Sequence, residues 1–134
     1  MDILVVCLPF AGHVGPLAAV AGELVARGHR VAAYTGVKHR GRFERVGARW
    51  VPWAQARDFD DADLAATFPK VGNGKGLAAQ LANTRDILVG TAAGQAADIV
   101  AAGRTTPFDL VVADQLAAGA PVGAEALGDR KSVV

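Results

Sequence analysis

The stretch that most restricts what this chain can fold into is its first third. Residues 3–8 are an unbroken apolar run, as expected of a strand covered on both faces. Leu17, Val20, Ala21, Leu24 and Val25 then fall on one face of a helix, Arg27 sits in its last turn, and Gly28 just past it is a stop signal. Residues 30–35 resume as a second strand. A strand, a helix and a strand joined by turns this short close as a parallel, right-handed βαβ unit. Between the first strand and the helix lies Pro9-Phe10-Ala11-Gly12-His13-Val14-Gly15-Pro16. A loop leaving the carboxyl end of the first strand is where open α/β sheets place ligands. Gly12 and Gly15 let the backbone turn sharply and a ligand approach closely. Pro16 suits a first helical position, where its missing N–H has no intrahelical use. This predicts a helix over 17–26, with His13 held in the stiff turn before it.

The remaining segments continue the alternation. Residues 38–46 read as a basic helix with Phe43 and Val46 inward and Arg40, Arg42 and Arg45 largely solvated, and 49–53 as a short strand that Pro52 places at an edge or ends. Residues 58–70 are acidic and poorly periodic, a loop with about one helical turn, and the glycine-rich 71–76 is the most flexible segment by composition. A single long helix is predicted over 77–102, with Leu81, Thr84, Leu88, Thr91, Gln95 and Ile99 at helical spacing. Gly90 and Gly94 inside it each cost about 1 kcal/mol relative to Ala and permit a bend or a close crossing. A fourth strand over 108–113 ends at Asp114. A helix follows to Leu127 with Pro121 in its first turn, and 132–134 begin a fifth strand. The pattern specifies an α/β fold: one Rossmann-like domain, a doubly wound parallel sheet of order 3-2-1-4-5.

At 134 residues this is one domain with room for a proper core. A formal charge of +1 gives no case for nucleic acid or an anionic membrane as partner. No basic leader and no apolar run long enough to span a bilayer are visible, so a cytoplasmic protein with no membrane span is expected. The single Cys7 provides neither a disulfide nor a metal cluster and reads as a small buried side chain. His29 and His39 lack Cys, Asp or Glu at ligand spacing, so no metal is expected. Val14 and Leu17 stand where a dinucleotide fingerprint needs glycine, which argues against a nicotinamide enzyme. Gly76 after Gly74-Lys75 breaks a phosphate-loop pattern.

In the predicted strand order the first and fourth strands are neighbours, about 4.8 Å apart. His13 and Asp114 follow their carboxyl ends and meet at the crevice where the strand order reverses. A carboxylate beside an imidazole fixes its tautomer and stabilises the imidazolium as it forms. Such a pair acts as a general base near neutral pH, a contribution of typically about 10²–10⁴-fold. Taken singly, each residue has a plainer use: His13 can satisfy backbone groups, and Asp114 can cap the following helix. Phe10, Trp53, Phe59 and Phe68 all come from loops or strand ends on this side, where they either line an apolar pocket or simply pack. With Gly12 and with Leu88 on the long helix, they are the candidate ligand contacts.

The runs Ile3-Leu4-Val5-Val6, Pro9 through Leu17 and Leu24-Val25-Ala26-Arg27-Gly28-His29-Arg30-Val31 resemble the N-terminal half of family 1 glycosyltransferases, nearest the bacterial enzymes that glycosylate macrolides and other natural products. Phe108 through Asp114 and Glu125-Ala126-Leu127-Gly128 resemble later landmarks of the same half. The resemblance implies one half of a two-domain GT-B fold, residues 1–134 being the acceptor-binding domain. The donor-binding domain is expected to be absent, since the chain stops at Val134. It also implies His13 as the base that deprotonates an acceptor hydroxyl, Asp114 as its partner, and inversion at the sugar. The expected co-substrate is a UDP- or TDP-sugar with no cofactor, and the donor-contacting residues are unassigned. The expected partners are a small, apolar acceptor and a donor-binding domain or chain, without which transfer should be negligible. A separate subunit of a two-chain transferase and a non-catalytic small-molecule-binding module are the alternatives.

Overall fold

The computed structural model describes residues 1–128 in full and the backbone of 130–133. Its elements are β1 (Asp2–Val6), α1 (Ala11–Ala26), β2 (Arg30–Tyr34), a 3₁₀ turn (Val37–His39), α2 (Arg40–Glu44), β3 (Arg49–Val51), α3 (Leu64–Thr67), α4 (Pro69–Gly72), α5 (Gly76–Asn83), a π-helical segment (Thr84–Val89), α6 (Ala92–Thr105), β4 (Leu110–Ala113), α7 (Gly119–Ala126) and β5 (Arg130–Val133). The strands form one sheet in the predicted order, β3-β2-β1-β4-β5, with every pair parallel. Ile3 stands opposite Val31 and Leu110, and Val6 opposite Tyr34 and Ala113. β3 is an edge strand and ends at Val51, immediately before Pro52, so both readings of that proline hold. The fifth strand begins earlier than predicted, at Arg130, and Val134 lies outside the described residues.

Because side chains alternate along a strand, β1 and its extension divide between two cores. Ile3, Val5 and Cys7 pack with Val14, Leu17, Ala18 and Ala21 of α1 and with Phe43 of α2. Leu4, Val6 and Leu8 pack with Ile99 of α6 and with Ala120 and Ala124 of α7. Cys7 is fully buried; burial pushes its thiol pKa up, so it stays protonated and donates to the carbonyl of Leu8 at 3.2 Å. α1 ends as predicted, at a glycine with φ of 86°, a conformation a side chain would strain.

The predicted start of α1 is corrected. The helix begins at Ala11, so Pro16 lies inside it and His13 in its first turn rather than in a loop before it. Phe10 is the extended residue ahead of the helix, and its carbonyl accepts the N–H groups of His13 at 2.9 Å and Val14 at 3.0 Å. The proline is tolerated because the carbonyl it leaves without a partner belongs to Gly12, which is exposed and open to water.

The long helix predicted over 77–102 is also corrected: it is α5, the π segment and α6 in succession. The Gly90 N–H bonds to the carbonyl of Arg85 at 2.9 Å, five residues back, and the hydroxyl of Thr91 donates to that of Ile87 at 2.5 Å. A π turn absorbs one extra residue, and both Ile87 and Ile99 reach the core with no exposed surface.

Asp98, on α6 and buried, ties this layer to the loop after β3. Its carboxylate accepts the backbone N–H groups of Ala54, Gln55 and Ala56 at 3.0, 2.8 and 3.1 Å and the hydroxyl of Tyr34 at 2.8 Å. Burial and the adjacent carboxylate together push the Tyr34 hydroxyl well above its ordinary pKa. Gly94 provides the close crossing predicted for it. A Cβ there would sit 2.5 Å from both the N and the Cα of Ala56, a backbone that Asp98 already holds in place. Helix propensity alone would favour Gly94→Ala by about 1 kcal/mol. Overpacking against fixed backbone, at about 1–3 kcal/mol, is the larger effect. The variant should therefore unfold at a lower urea midpoint than the parent chain.

Candidate functional site

β1 and β4 end side by side, and the Asp114 N–H continues the ladder to the carbonyl of Val6 at 2.9 Å. Asp114 is 6% exposed. Its Oδ1 accepts the Leu116 N–H at 2.9 Å, and its own carbonyl accepts the Ala117 N–H, closing a turn before α7. α7 starts only at Gly119, so Asp114 shapes the connection rather than capping that helix. Its second oxygen is left for His13, whose Nδ1 lies 2.5 Å from Oδ2. A carboxylate oxygen accepts, so Nδ1 carries the proton and donates, and Nε2 of the neutral ring keeps its lone pair. The His13 side chain is one-third exposed, while the carboxylate it rests on is buried. A cavity of about 230 Å³ in front of the pair is lined by Gly12, His13, Pro16, Leu17, Val20 and Asp114. The arrangement is that of a base with an oriented ring and an open face.

The turn that carries His13 is held by a residue that sequence reasoning missed. Phe10 offers no capping side chain, and Asp61, from the loop after β3, accepts the Ala11 N–H through Oδ2 at 2.7 Å. Its Oδ1 lies 2.7 Å from Nζ of Lys38 and 3.3 Å from Nε2 of buried His39, whose ring also stands 3.2 Å from the carbonyl of Pro9. Lys38 pairs with Asp60 as well. The cluster therefore clamps Pro9 to Ala11 from outside. Nothing at short range marks Asp61 as a cap; only the acidic run 58–61 hinted at a use.

Burial by itself raises the Asp61 pKa, but Lys38 and the Ala11 N–H outweigh it and hold the carboxyl below its ordinary value. A depressed folded-state pKa gives stability that is full above the unfolded value, near 4, and lost as pH falls through the folded one. Asp61→Ala should cost about 1–2 kcal/mol at pH 7. In urea titrations the gap between variant and parent should close as the pH is taken below about 4.

Of the candidate acceptor contacts, Gly12 lies on the His13 cavity, and the half-buried Phe10 ring is 5.9 Å from the His13 ring. Of the two readings of Trp53, Phe59 and Phe68, packing is the one their burial shows: they are 7, 5 and 6% exposed, although Phe68 also borders a cavity. Ring packing explains this. Tyr34 stacks on Trp53 at 5.6 Å, Trp53 meets Phe59 edge-on at 5.9 Å, and Phe59 meets Phe68 at 5.5 Å and Phe10 at 5.2 Å. Leu88, half-buried in the π segment, packs at the margin of the same cluster. Among the described residues no three His, Cys, Asp or Glu side chains converge as a metal site would require. No helix among them is long and apolar enough to cross a membrane.

No known family profile matches the chain. It is 38% identical over 126 residues to 4'-demethylrebeccamycin synthase of Lentzea aerocolonigenes, a match covering 94% of this chain and 30% of the relative. It is 47% identical over 57 residues to demethyllactenocin mycarosyltransferase of Streptomyces fradiae, covering 42% of this chain and 12% of that one. The resemblance is to natural-product glycosyltransferases. Among solved structures, the glycosyltransferase of kitacinnamycin superposes with a TM-score of 0.73 at 27% identity, over 98% of this chain and 29% of its own. The calicheamicin glycosyltransferase CalG4 superposes with a TM-score of 0.77 at 22% identity, over 98% and 31%. The chain thus spans less than a third of the length of these glycosyltransferases, and its fold is that of one half of theirs.

Proposed function

We propose that this chain is the acceptor-binding, base-supplying half of an inverting glycosyltransferase that acts on a small, largely apolar natural product. The observation that carries the reading is the 2.5 Å contact between His13 and Asp114 at the carboxyl ends of β1 and β4, with the ring one-third open. The matched relatives, named for natural-product biosynthesis and sugar transfer, support it. In this mechanism Nε2 of His13 takes the proton of an acceptor hydroxyl, and Asp114 stabilises the imidazolium through Nδ1. The freed oxygen pair attacks the anomeric carbon from the face opposite the leaving group. The bond to the nucleoside diphosphate breaks with its electrons on the phosphate oxygen, and the configuration inverts. The donor would be a UDP- or TDP-sugar, held by a second domain or chain, with no metal or other cofactor taking part at His13. This chain by itself should turn over little or no donor.

The test replaces the matched segment of 4'-demethylrebeccamycin synthase with this chain and measures sugar transfer to a panel of aromatic and macrolide alcohols. His13→Ala should lower kcat by about 10²–10⁴-fold. Asp114→Asn, which leaves the shape but favours the wrong ring tautomer, should also lower kcat strongly with little change in KM. Full turnover by the His13→Ala protein would overturn the assignment.

A further inference from the structure

A second opening lies apart from the one in front of His13. A cavity of about 580 Å³ lies beyond Phe68, walled by Arg57, Phe68, Lys70, Arg85, Asp86 and Gly90 among others. Its charges do not cancel. Asp86 is engaged by Arg85 through both oxygens, at 2.6 and 2.8 Å, so this pair contributes little net field. The Asp86 carboxyl is accordingly held below its ordinary pKa by the guanidinium, and Lys70 adds to the effect. Arg57 and Lys70 form no ion pair among the described residues. Two uncompensated cations therefore face one cavity.

Arg57 is also posed. Its guanidinium carbon lies 5.4 Å from the centre of the Phe68 ring, an arrangement that steadies the plane and leaves edge N–H groups free to donate. The opposite wall is the π segment and its exit at Gly90, an irregularity frequent at functional sites. From Phe68 the packed rings of Phe59, Phe10 and His13 follow in steps of 5.5, 5.2 and 5.9 Å, so one aromatic cluster stands between this cavity and the imidazole.

We infer that the cavity receives a planar, negatively charged end of the acceptor, a carboxylate or acidic phenol on a fused aromatic system, with Arg57 and Lys70 as the residues that select it. This rests on the acceptor-binding reading above and narrows it. A nucleotide phosphate carries the same charge and is the competing source of the anion.

The experiment titrates the chain with anthracene-9-carboxylate, with neutral 9-anthracenemethanol and with thymidine diphosphate, by calorimetry at low and at physiological salt. Arg57 and Lys70 are both exposed, so Arg57→Gln and Lys70→Gln should leave the fold intact, which circular dichroism checks. The carboxylate should bind at least about tenfold more tightly than the alcohol, and each variant should remove most of that advantage. Added salt should weaken the carboxylate alone. Equal binding of carboxylate and alcohol, or carboxylate binding indifferent to both variants, would overturn the inference. So would thymidine diphosphate binding more tightly through the same two residues. Arg57-dependent carboxylate binding beside a His13→Ala chimera with undiminished transfer would keep this site while removing the reading it was built on.

Discussion

The constraint on which the rest depends is that β1 is buried on both faces. With α1 and α2 against one side of the sheet and α6 and α7 against the other, the strands expose side chains to a ligand only at their ends. The parallel arrangement puts all the carboxyl ends together, and the central place of β1 puts its end beside that of β4. The residues that follow Val6 and Ala113 are therefore brought together, and His13 and Asp114 belong to those segments. Their meeting at 2.5 Å across 101 positions of sequence is a consequence of strand order before it is one of side-chain preference.

Asp114 shows why a plain structural role and a chemical one need not compete. A carboxylate has two oxygens, and here one closes the turn to Leu116 while the other reaches His13. The turn immobilises the group, and immobility is what makes it useful to the imidazole. Asp61 divides its oxygens in the same way, one to the start of α1 and one to Lys38. Asp98 takes this furthest, collecting three backbone N–H groups and a phenol. Three buried or half-buried acids thus organise the loops at this edge of the sheet.

The sheet order, the edge position of β3 and the pairing of His13 with Asp114 were legible because apolar runs, a glycine stop and turn lengths are local signals that topology converts into contacts. The start of α1 was not, because Pro16 argues for a late start and the group that permits an early one, Asp61, arrives from 50 positions away. The division of the long helix was hidden because a π turn leaves helical spacing almost unchanged in a short window. For the aromatic residues the sequence left open whether they line a pocket or pack, and burial decides for packing. Periodicity reports which way a side chain faces, and neighbours such as Tyr34 and Phe59 decide how much of Trp53 is covered.

That the first turn of α1 is closed by a carboxylate from the loop after β3 bears on the order of assembly. The strand and the body of the helix can form from near neighbours, but the turn that aims the imidazole has to wait for a distant segment to dock. The hold of that loop on Ala11 is polar and lies at the surface, whereas Ala56 and Phe59 of the same loop are buried in the layer beneath α6 and α7, so only the Asp61 contact can open locally. The first turn of α1, which orients His13, is thus among the last parts of the domain to be completed, because the contact that closes it comes from 50 positions away.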